Sequence, residues 1–362
     1  MTNKQYQQHD HQKDKPFSNS PFFIKLFSWE YWPMPVIYFP IVLYWLYLSI
    51  KARSLFFFAA TNPGINLGGL SDDSKIDLFD KIPKHLIPTT LFFKANTTSS
   101  TIMAAIEKAG LSFPVIAKPD KGERGFLVEK INNLAELERY LKQFSMDFLI
   151  QEFIDYTEEV TILHYRFPGK EKGHISSFTY KEMLHVVGDG NSTITELMRA
   201  TPRSLLQLNR LQQLIPEKLL SIPQKDEIVW LEPIGNHNRG TIFWDRHDLI
   251  DEQLIDTFDK INKQIDGLYF GRYDLKCKNI ADLKQGKGIK ILEINGVKAE
   301  PAHIYDPNFS IINAYKVLFK QWRTIYEISE INRKMGVKVP TTTTGLKQFY
   351  HYVFTYKKNI TR

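Results

Sequence analysis

Hydrophobic and polar positions divide the chain into two distinctive ends and a mixed middle. Residues 1–20 are polar and aperiodic, and we expect a disordered tail over residues 1–28. From Tyr31 to Ile50 the chain has 20 residues without a charge, which is long enough to cross a bilayer as a helix. We therefore interpret residues 29–53 as an apolar, membrane-associating segment.

Three interpretations of this segment remain open. A spanning helix is weakened by Pro33, Pro35 and Pro40, which interrupt its first half. Spanning would also place the lysine-containing start of the chain outside, against the positive-inside tendency. A hairpin lying at the membrane interface avoids that conflict and is favoured, and a buried core helix is the third interpretation. The late start of the apolar run and the lack of a small-residue cleavage site are not typical of a signal peptide.

The other end carries a second apolar and basic pattern. We expect a basic, aromatic helix over residues 336–362, where apolar side chains recur at helical spacing: Leu346, Phe349, Tyr350, Val353 and Phe354. Lysine and arginine surround this stripe, which suits a membrane surface. Docking of the helix on the protein's own core explains the pattern equally well.

The middle of the chain reads as an α/β fold. Short apolar runs predict strands over residues 54–62, 113–119, 148–154, 161–167, 174–180, 271–280 and 288–296. Helical periodicity predicts helices over residues 98–109, 134–144, 254–265 and 311–328. We expect the last two strands to pair across a polar turn.

Composition narrows the classes of function. The single cysteine, Cys277, excludes a disulfide scaffold and a multi-cysteine metal site. The net charge of +7 favours anionic partners without choosing among them. We find no nucleic-acid motif and no internal repeat, so we expect no nucleic-acid partner.

Two segments have the character of nucleotide-binding elements. In AKPDKGERGF, Lys118 ends a strand before Gly122 and Gly125, and glycines let backbone N–H groups approach phosphate oxygens. In IQEFIDYTEEV, a hinge of residues 152–155 precedes a strand that opens with Glu159. Such a hinge can present backbone groups to an adenine edge, and the carboxylate can accept from ribose hydroxyls. Taken alone, a segment of either kind more often has a structural role than a nucleotide-binding role.

The strongest local signal lies in the two adjacent strands near residue 280. Glu293 and Asn295 are two apart, so both point to one face, and Arg272 and Asp274 share a face of the preceding strand. Two carboxylates and an amide oxygen make a hard-oxygen site of the kind that magnesium prefers. A salt-bridge cluster centred on Arg272 is the alternative.

Polar loops supply candidate substrate residues. In GDGNSTITEL we expect a helix that Ser192 or Thr193 caps, with Glu196 in capping-box position. The later segment GNHNRG is a polar loop whose asparagine and arginine side chains can hold a phosphate or a carboxylate. The candidates are Asn236, Asn238 and Arg239, together with the weaker His237, and His303 beyond the metal strand.

The order of these pieces resembles that of ATP-grasp ligases over roughly Lys75 to Asp306. The pattern is similar to D-alanine–D-alanine ligases and to the ATP-grasp part of cyanophycin synthetase. PVIAKPDKGERG resembles their strand-lysine and glycine loop, EFIDYTEEVTI their adenine hinge, and GRYDL with EING their arginine and metal triad. The resemblance implies an α+β ATP-grasp fold, in which two α/β subdomains clasp ATP behind a short N-terminal strand region.

The resemblance also implies roles for individual residues. Those for ATP are Lys75 (with Lys81 as an alternative), Lys118, Gly122, Gly125, Glu152, Phe153, Ile154, Asp155, Glu159 and Lys181. Asp274, Glu293 and Asn295 would hold magnesium, or manganese, and Arg272 would stabilise the oxyanion. The implied reaction joins a carboxylate to an amine through an acyl phosphate.

Two departures from the D-alanine ligases change the expected substrate. GVKAEPAHIYDP replaces their substrate-carboxylate turn, which puts D-alanine in doubt, and residues 54–93 are too short for a full substrate-binding domain. We expect ATP-grasp subdomains over residues 94–155 and 156–335. The expected enzyme acts at the membrane surface on envelope or lipid-linked substrates, on the cytoplasmic side of the inner membrane or in the cytoplasm.

Other readings stay open at this level. An ATP-binding membrane scaffold or sensor, and an ATP-grasp kinase without ligase activity, are the alternative functions. The oligomeric state is undetermined, with a homodimer among the options.

Overall fold

The structure is a computed structural model that describes residues 20–70, 74–122, 125–143 and 145–360. The strands are β1 (Thr90–Phe93), β2 (Val115–Pro119), β3 (Glu129–Ile131), β4 (Phe148–Glu152), β5 (Glu158–Tyr165), β6 (His174–Glu182), β7 (His185–Val187), β8 (Ile228–Trp230), β9 (Ile242–Asp245), β10 (Phe270–Cys277) and β11 (Ile289–Asn295).

The helices of the first half are α1 (Pro21–Phe27), α2 (Met34–Ala52), α3 (Lys75–Phe79), α4 (Ser99–Lys108) and α5 (Leu134–Leu141). Those of the second half are α6 (Ile194–Ala200), α7 (Pro202–Leu205), α8 (Leu208–Leu214), α9 (Pro216–Leu219), α10 (Glu252–Lys263), α11 (Ile280–Lys284), α12 (Ile311–Lys334) and α13 (Thr342–Ile360). Short 3₁₀ turns connect several of them.

The chain divides into two compact units. The smaller combines Met1–Ile37 with Met183–Pro233, and the larger combines Tyr38–Glu182 with Ile234–Arg362. Residues 183–233 have a core of their own, which consists of Leu184, Val186, Ile194, Met198, Leu208, Leu211, Leu219 and Leu231. The expected ATP-grasp subdomain boundary at residue 155 stays a prediction. No sequence pattern indicates that residues 20–37 group with residues 183–233.

Two antiparallel sheets form the framework of the larger unit. The four-stranded sheet has the order β1-β4-β2-β3, and the five-stranded sheet has the order β11-β10-β5-β6-β9. Leu149 of the first sheet and buried residues of the second, such as Ile162 and Tyr273, belong to one hydrophobic core. The mixed α/β class is therefore confirmed, with sheets that are antiparallel throughout.

The smaller unit has one two-stranded sheet, β7-β8, and helices α6 to α9. Thr193 caps α6, since its hydroxyl accepts from the Glu196 amide while the Glu196 carboxylate accepts from the Thr193 amide. The expected capping box is thus confirmed, with Thr193 rather than Ser192 as the cap.

Most predicted elements of the middle are present. Helices α4, α5 and α10 fall where periodicity placed them, and α12 continues to Lys334, six residues beyond the prediction. The strands predicted over 271–280 and 288–296 pair as β10 and β11. The turn between them contains the short helix α11, which the Asn279 side chain caps.

The strand predicted over residues 54–62 is wrong. Phe57–Ala60 forms a 3₁₀ turn in which Phe57, Phe58 and Ala60 are buried. A short apolar run cannot distinguish a buried strand from a buried helical turn, because both are covered on all sides. At the start of the chain, α1 occupies part of the predicted disordered tail, and residues 1–19 lie outside the described residues.

The apolar segment and the C-terminal segment are both helical. Among the described residues, α2 is the one helix whose length and composition would allow it to cross a membrane. The C-terminal α13 contains Leu346, Phe349, Tyr350 and Phe354, all of them exposed, while the Val353 side chain lies outside the described part.

Candidate active site

A polar sheet face lies at the centre of the larger unit. Alternation along β10 puts Arg272, Asp274 and Lys276 on one face. In the register with β11, Asp274 lies opposite Glu293 and Arg272 lies opposite Asn295. The four residues predicted from the two strands are therefore neighbours.

Asp274 is the best-connected member of this group. Its Oδ2 atom accepts from Arg272 Nη2 at 3.0 Å and from Asn295 Nδ2 at 3.3 Å. Its Oδ1 atom accepts from Thr161 Oγ1 at 2.5 Å and lies 3.2 Å from Lys181 Nζ. Burial alone would raise the pKa of this carboxyl, but Arg272 and Lys181 outweigh burial and hold the pKa well below its usual range.

Lys181 joins Asp274 to the predicted ribose residue. Its Nζ atom donates to Glu159 Oε1 at 3.1 Å, and all three side chains are buried. Burial acts to lower the pKa of Lys181, yet the two carboxylates raise it, so this lysine stays charged. Glu159 is thus committed to an ion pair in this state, rather than being a solvated glutamate on a strand edge.

Lys75 and the glycine loop meet at the edge of this region. Lys75 begins α3, and its Nζ atom donates to the carbonyl oxygens of Gly122 at 2.7 Å and Asp120 at 3.2 Å. Asp120 fixes the junction, because its Oδ1 atom accepts from the Ile76 amide and the Ser74 hydroxyl. Lys81, the alternative, instead donates to the Gly64 carbonyl.

An open cleft brings the two predicted groups together. It is lined by Ile65, Gly69, Ser74, Lys75, Leu78, Phe79, Gly122, Glu293, Ile294, Asn295, Gly296 and Lys298. Glycine is required at one wall, since a Cβ atom on Gly69 would lie 2.7 Å from the Gly296 Cα atom. Lysine, glycine-loop and carboxylate groups far apart in sequence thus face one space.

Lys118 is a buried cation beside this cleft. Its Nζ atom donates to Gln151 Oε1 at 2.9 Å and to the Leu292 carbonyl at 3.3 Å, and it lies 5.1 Å from the centre of the Phe79 ring. Burial and the nearby Lys75 lower the pKa of Lys118 to about 7. A phosphate would reverse that shift by supplying negative charge.

The predicted hinge is held by its neighbours. The Ile154 carbonyl accepts from Lys276 Nζ at 3.1 Å, and the Phe153 ring lies under Lys130 Nζ at 4.0 Å. Glu152 does not face solvent as a free carboxylate, because its Oε2 atom accepts from the Thr89 amide at 3.0 Å. Asp155 is exposed at the end of the hinge.

The polar loop contacts the glycine loop. Arg239 Nη2 donates to the Gly125 carbonyl at 2.7 Å. Gly125 has a φ of +71°, and a Cβ atom there would lie 2.8 Å from Asn236 Nδ2. Asn236 also accepts from the Asn238 amide, so its side chain shapes the loop. Arg239 and Asn236 therefore lie against the predicted phosphate loop, and Asn238 is held to Asn236.

His303 is buried and pairs with the exposed His247, a contact that the sequence did not reveal. Its Nδ1 atom lies 2.8 Å from Ser177 Oγ, and its ring meets that of His247 edge to face at 4.5 Å. Burial and His247 lower the pKa of His303 to about 4, so it is neutral at neutral pH. Asp245 contacts His247 and raises the pKa of that partner.

Several other residues of the site were not predicted. Thr161, Lys276, Asp120 and Tyr305 carry no motif, and Glu300 was noted only as a departure from the ligase pattern. Strand alternation from Asp274 and Glu159 would have found Lys276 and Thr161, since both share a face with a predicted residue.

The donor set of the site bears on whether a divalent cation fits. Among the described residues, no group of three or more His, Cys, Asp or Glu side chains is arranged around one point. The site offers two carboxylates and one amide instead. Glu293 lines the cleft, and its carboxylate has no hydrogen-bond partner in the described part of the chain. This set fits a magnesium ion that takes its remaining ligands from phosphate and water.

Comparison with known proteins returns ligases. A search with family models finds no match. Among solved structures, D-alanine–D-alanine ligase from Bacillus anthracis is 14% identical and covers 73% of this chain and 69% of its own, with a TM-score of 0.41. A bifunctional glutathione synthetase from Pasteurella multocida is 18% identical, covers 71% of this chain and 38% of its own, and has a TM-score of 0.38.

One curated protein is similar to this chain in sequence. The glutathione biosynthesis bifunctional protein GshAB of Enterococcus faecalis is 26% identical over 217 residues. The match covers 52% of this chain, which spans about a quarter of the relative's length (27%). The chain resembles ATP-grasp ligases.

Proposed function

We propose that this protein catalyses ATP-dependent formation of a C–N bond between a carboxylate and an amine. The observation that carries the proposal is the cleft in which Lys75, Gly122, Glu293 and Asn295 face one another. Cations, a glycine loop and oxygen ligands around one space are what a magnesium nucleotide requires.

The residues divide the work of binding. Lys75, Lys118 and the loop at Gly122 would hold phosphate oxygens, and the hinge at Ile154 with Glu159 would hold the nucleoside. Asp274, Glu293 and Asn295 would hold magnesium, which would supply positive charge against the charge that develops during phosphoryl transfer.

Arg272 is the proposed catalytic residue. Its guanidinium stays charged, because Asp274 and Glu293 raise its pKa against the effect of burial. The substrate carboxylate would become an acyl phosphate, and the amine would then displace phosphate. A fixed cation at the sheet face stabilises the oxyanion of that second step.

Nucleotide binding is the first test. Thermal shift with ATP and Mg²⁺ should stabilise the wild type, and Glu293→Gln should lose most of the magnesium-dependent part. Glu107→Gln, on the exposed side of α4, is the matched control and should behave as wild type. No shift in the wild type would refute the proposed site.

Release of ADP then separates the reaction classes. A ligase should release ADP only when both a carboxylate and an amine are present. Release that needs no amine would support a kinase, and binding without release would support a scaffold or sensor.

We place the proposed reaction at a membrane surface, on the cytoplasmic side where ATP is available. Helix α2 supports this, because apolar side chains that are 40–78% exposed form a continuous stripe at positions i, i+3, i+4, i+7, i+8 and i+11: Phe39, Val42, Leu43, Leu46, Tyr47 and Ile50. An exposed apolar patch of this kind is typical of a membrane or protein contact.

The opposite face of α2 favours an interface-lying helix over a spanning one. Leu48 and Ala52 are buried in a core with Phe57, Phe58 and Ile325, and the Tyr44 ring meets the Phe319 ring of α12. A helix that packs along one face on its own protein cannot be surrounded by lipid. Lys51 and Arg53 at its end suit anionic headgroups.

Membrane association is tested by sedimentation with vesicles. The full-length protein should sediment with vesicles that contain anionic phosphatidylglycerol, and less with neutral phosphatidylcholine. A protein that stays in the supernatant with both would refute the membrane part and leave the ligase part standing. Envelope or lipid-linked carboxylates and amines are the substrates that such a location favours.

A further inference from the structure

Glu300 lies at the candidate active site but is not one of the residues proposed to hold phosphate or magnesium. It follows β11 by five residues, and its backbone carbonyl accepts from Arg272 Nη1 at 3.4 Å. The proposed catalytic arginine therefore holds the segment that carries this carboxyl.

The carboxyl of Glu300 has a hydroxyl partner but no cation. Tyr305 Oη donates to Glu300 Oε2 at 2.6 Å. In the described part of the chain no lysine, arginine or histidine forms an ion pair with it, and its Oε1 atom has no hydrogen-bond partner. Burial raises the pKa of this carboxyl to about 7, against the opposing effect of the Tyr305 hydroxyl.

This environment contrasts with that of Asp274. Asp274 is matched by Arg272 and Lys181, so its charge is balanced within the protein. A partly buried carboxyl without a cation is costly to keep ionised unless a ligand supplies the positive charge. The neighbouring rings add to the enclosure, because the Tyr305 ring lies 5.1 Å from that of His237.

We propose that Glu300, oriented by Tyr305, binds the amine substrate as its ammonium ion and takes a proton from it. The inference rests on the proposed ligase function. It deepens that function, because it assigns the second substrate to a side of Arg272 away from the metal group. It also predicts that the nucleophile is a primary ammonium group rather than an alcohol or a thiol.

The proton and electron balance of this step is complete. The carboxylate of Glu300 accepts one proton from R–NH₃⁺, which leaves R–NH₂ and a neutral carboxyl. The amine lone pair then forms the C–N bond with the acyl phosphate carbonyl, and the C–O bond to phosphate breaks with its electron pair going to phosphate. The second N–H proton passes to the departing phosphate, so the products are a neutral amide and hydrogen phosphate. A carboxyl that titrates near neutrality is suited to both states.

Binding of a simple ammonium ion tests the subsite directly. In the presence of ATP and Mg²⁺, ethylammonium chloride should stabilise the wild type beyond the effect of tetramethylammonium chloride at equal ionic strength. Glu300→Gln should bind ethylammonium about tenfold or more weakly, since a charge-assisted hydrogen bond is lost. Tyr305→Phe should weaken it by less.

Each outcome bears on one proposal. No selective stabilisation of the wild type by ethylammonium, or the same stabilisation in Glu300→Gln, overturns the amine subsite. Both variants should keep the wild-type shift with ATP and Mg²⁺ alone, which shows that they are folded. If the wild type lacks that nucleotide shift, the ligase proposal fails whether or not ethylammonium binds.

If Glu300→Gln does not fold, Tyr305→Phe carries the test. Ethylammonium affinity that Tyr305→Phe leaves unchanged would then contradict the proposal, because the hydroxyl would have no part in orienting the carboxyl.

Discussion

Replacing Asp274 by asparagine should destabilise the larger unit strongly. The carboxylate sits between two cations, with Arg272 Nη2 at 3.0 Å and Lys181 Nζ at 3.2 Å. Asparagine keeps the shape and can still accept from Thr161, but it removes the charge that balances both partners. Glu159 then remains as the one carboxylate in contact with Lys181 among the described residues.

The magnitude follows from burial. Asp274 is 7% exposed, so solvent cannot replace the lost counter-charge effectively. Breaking a buried ion pair by removing one partner costs about 3–5 kcal/mol of unfolding free energy. The effect should depend on pH: because the folded pKa is depressed, the contribution is present above the ordinary value of 3.8 and is lost as pH falls below it.

Urea denaturation at pH 7 measures the change. Asp248→Asn is the matched control, because Asp248 pairs with Arg246 through a side chain that is 60% exposed, and such a pair contributes about 0–1 kcal/mol. A loss below about 1 kcal/mol for Asp274→Asn, equal to that of the control, would refute the claim that this cluster is balanced by the carboxylate.

Two further predictions concern the nucleotide and the membrane. Because the pKa of Lys118 is lowered to about 7, this lysine is mostly neutral at pH 8, and ATP binding should be accompanied by proton uptake. Calorimetry in buffers of different ionisation enthalpy should detect that uptake. Lys118→Arg should abolish it, and uptake that persists in this variant would assign the proton to another group. The double variant Phe39→Glu, Leu43→Glu should lose most of its sedimentation with anionic vesicles while it keeps ATP binding. The control is the double variant Lys142→Glu, Gln143→Glu on an exposed turn, which changes the charge by a larger amount. An equal loss of sedimentation in the control would attribute vesicle binding to charge alone.

Local chemistry made much of the fold predictable. The capping box at Thr193, the periodicity of α10 and the pairing of β10 with β11 depend on residues that are close in sequence. The local sequence therefore contains the information needed to predict them. The turn at Phe57–Ala60 and the insertion 183–233 depend on what covers them, and that information lies elsewhere in the chain.

The site divides in the same way. Asp274, Glu293 and Asn295 could be predicted as a group because strand alternation and one hairpin fix them. The pairing of Glu159 with Lys181 across β5 and β6 could not, since nothing in the sequence sets the rotamers of two buried side chains. Glu300 was visible as a residue, but its lack of a cation is a property of the packed structure.

The charges of the candidate site are distributed unevenly between its two ends. Around Asp274 each cation has a carboxylate partner, and the pKa values of Lys181 and Arg272 are raised accordingly, so both cations at this end are balanced within the protein. Around Lys75 and Lys118 the cations contact carbonyl and amide oxygens instead, and the pKa of Lys118 is lowered. An anion therefore gains most at the second end, and a cation gains most at Glu300. In the proposed function, this polarity would orient the phosphates of ATP towards Lys118 and leave the Glu300 side of Arg272 for the amine.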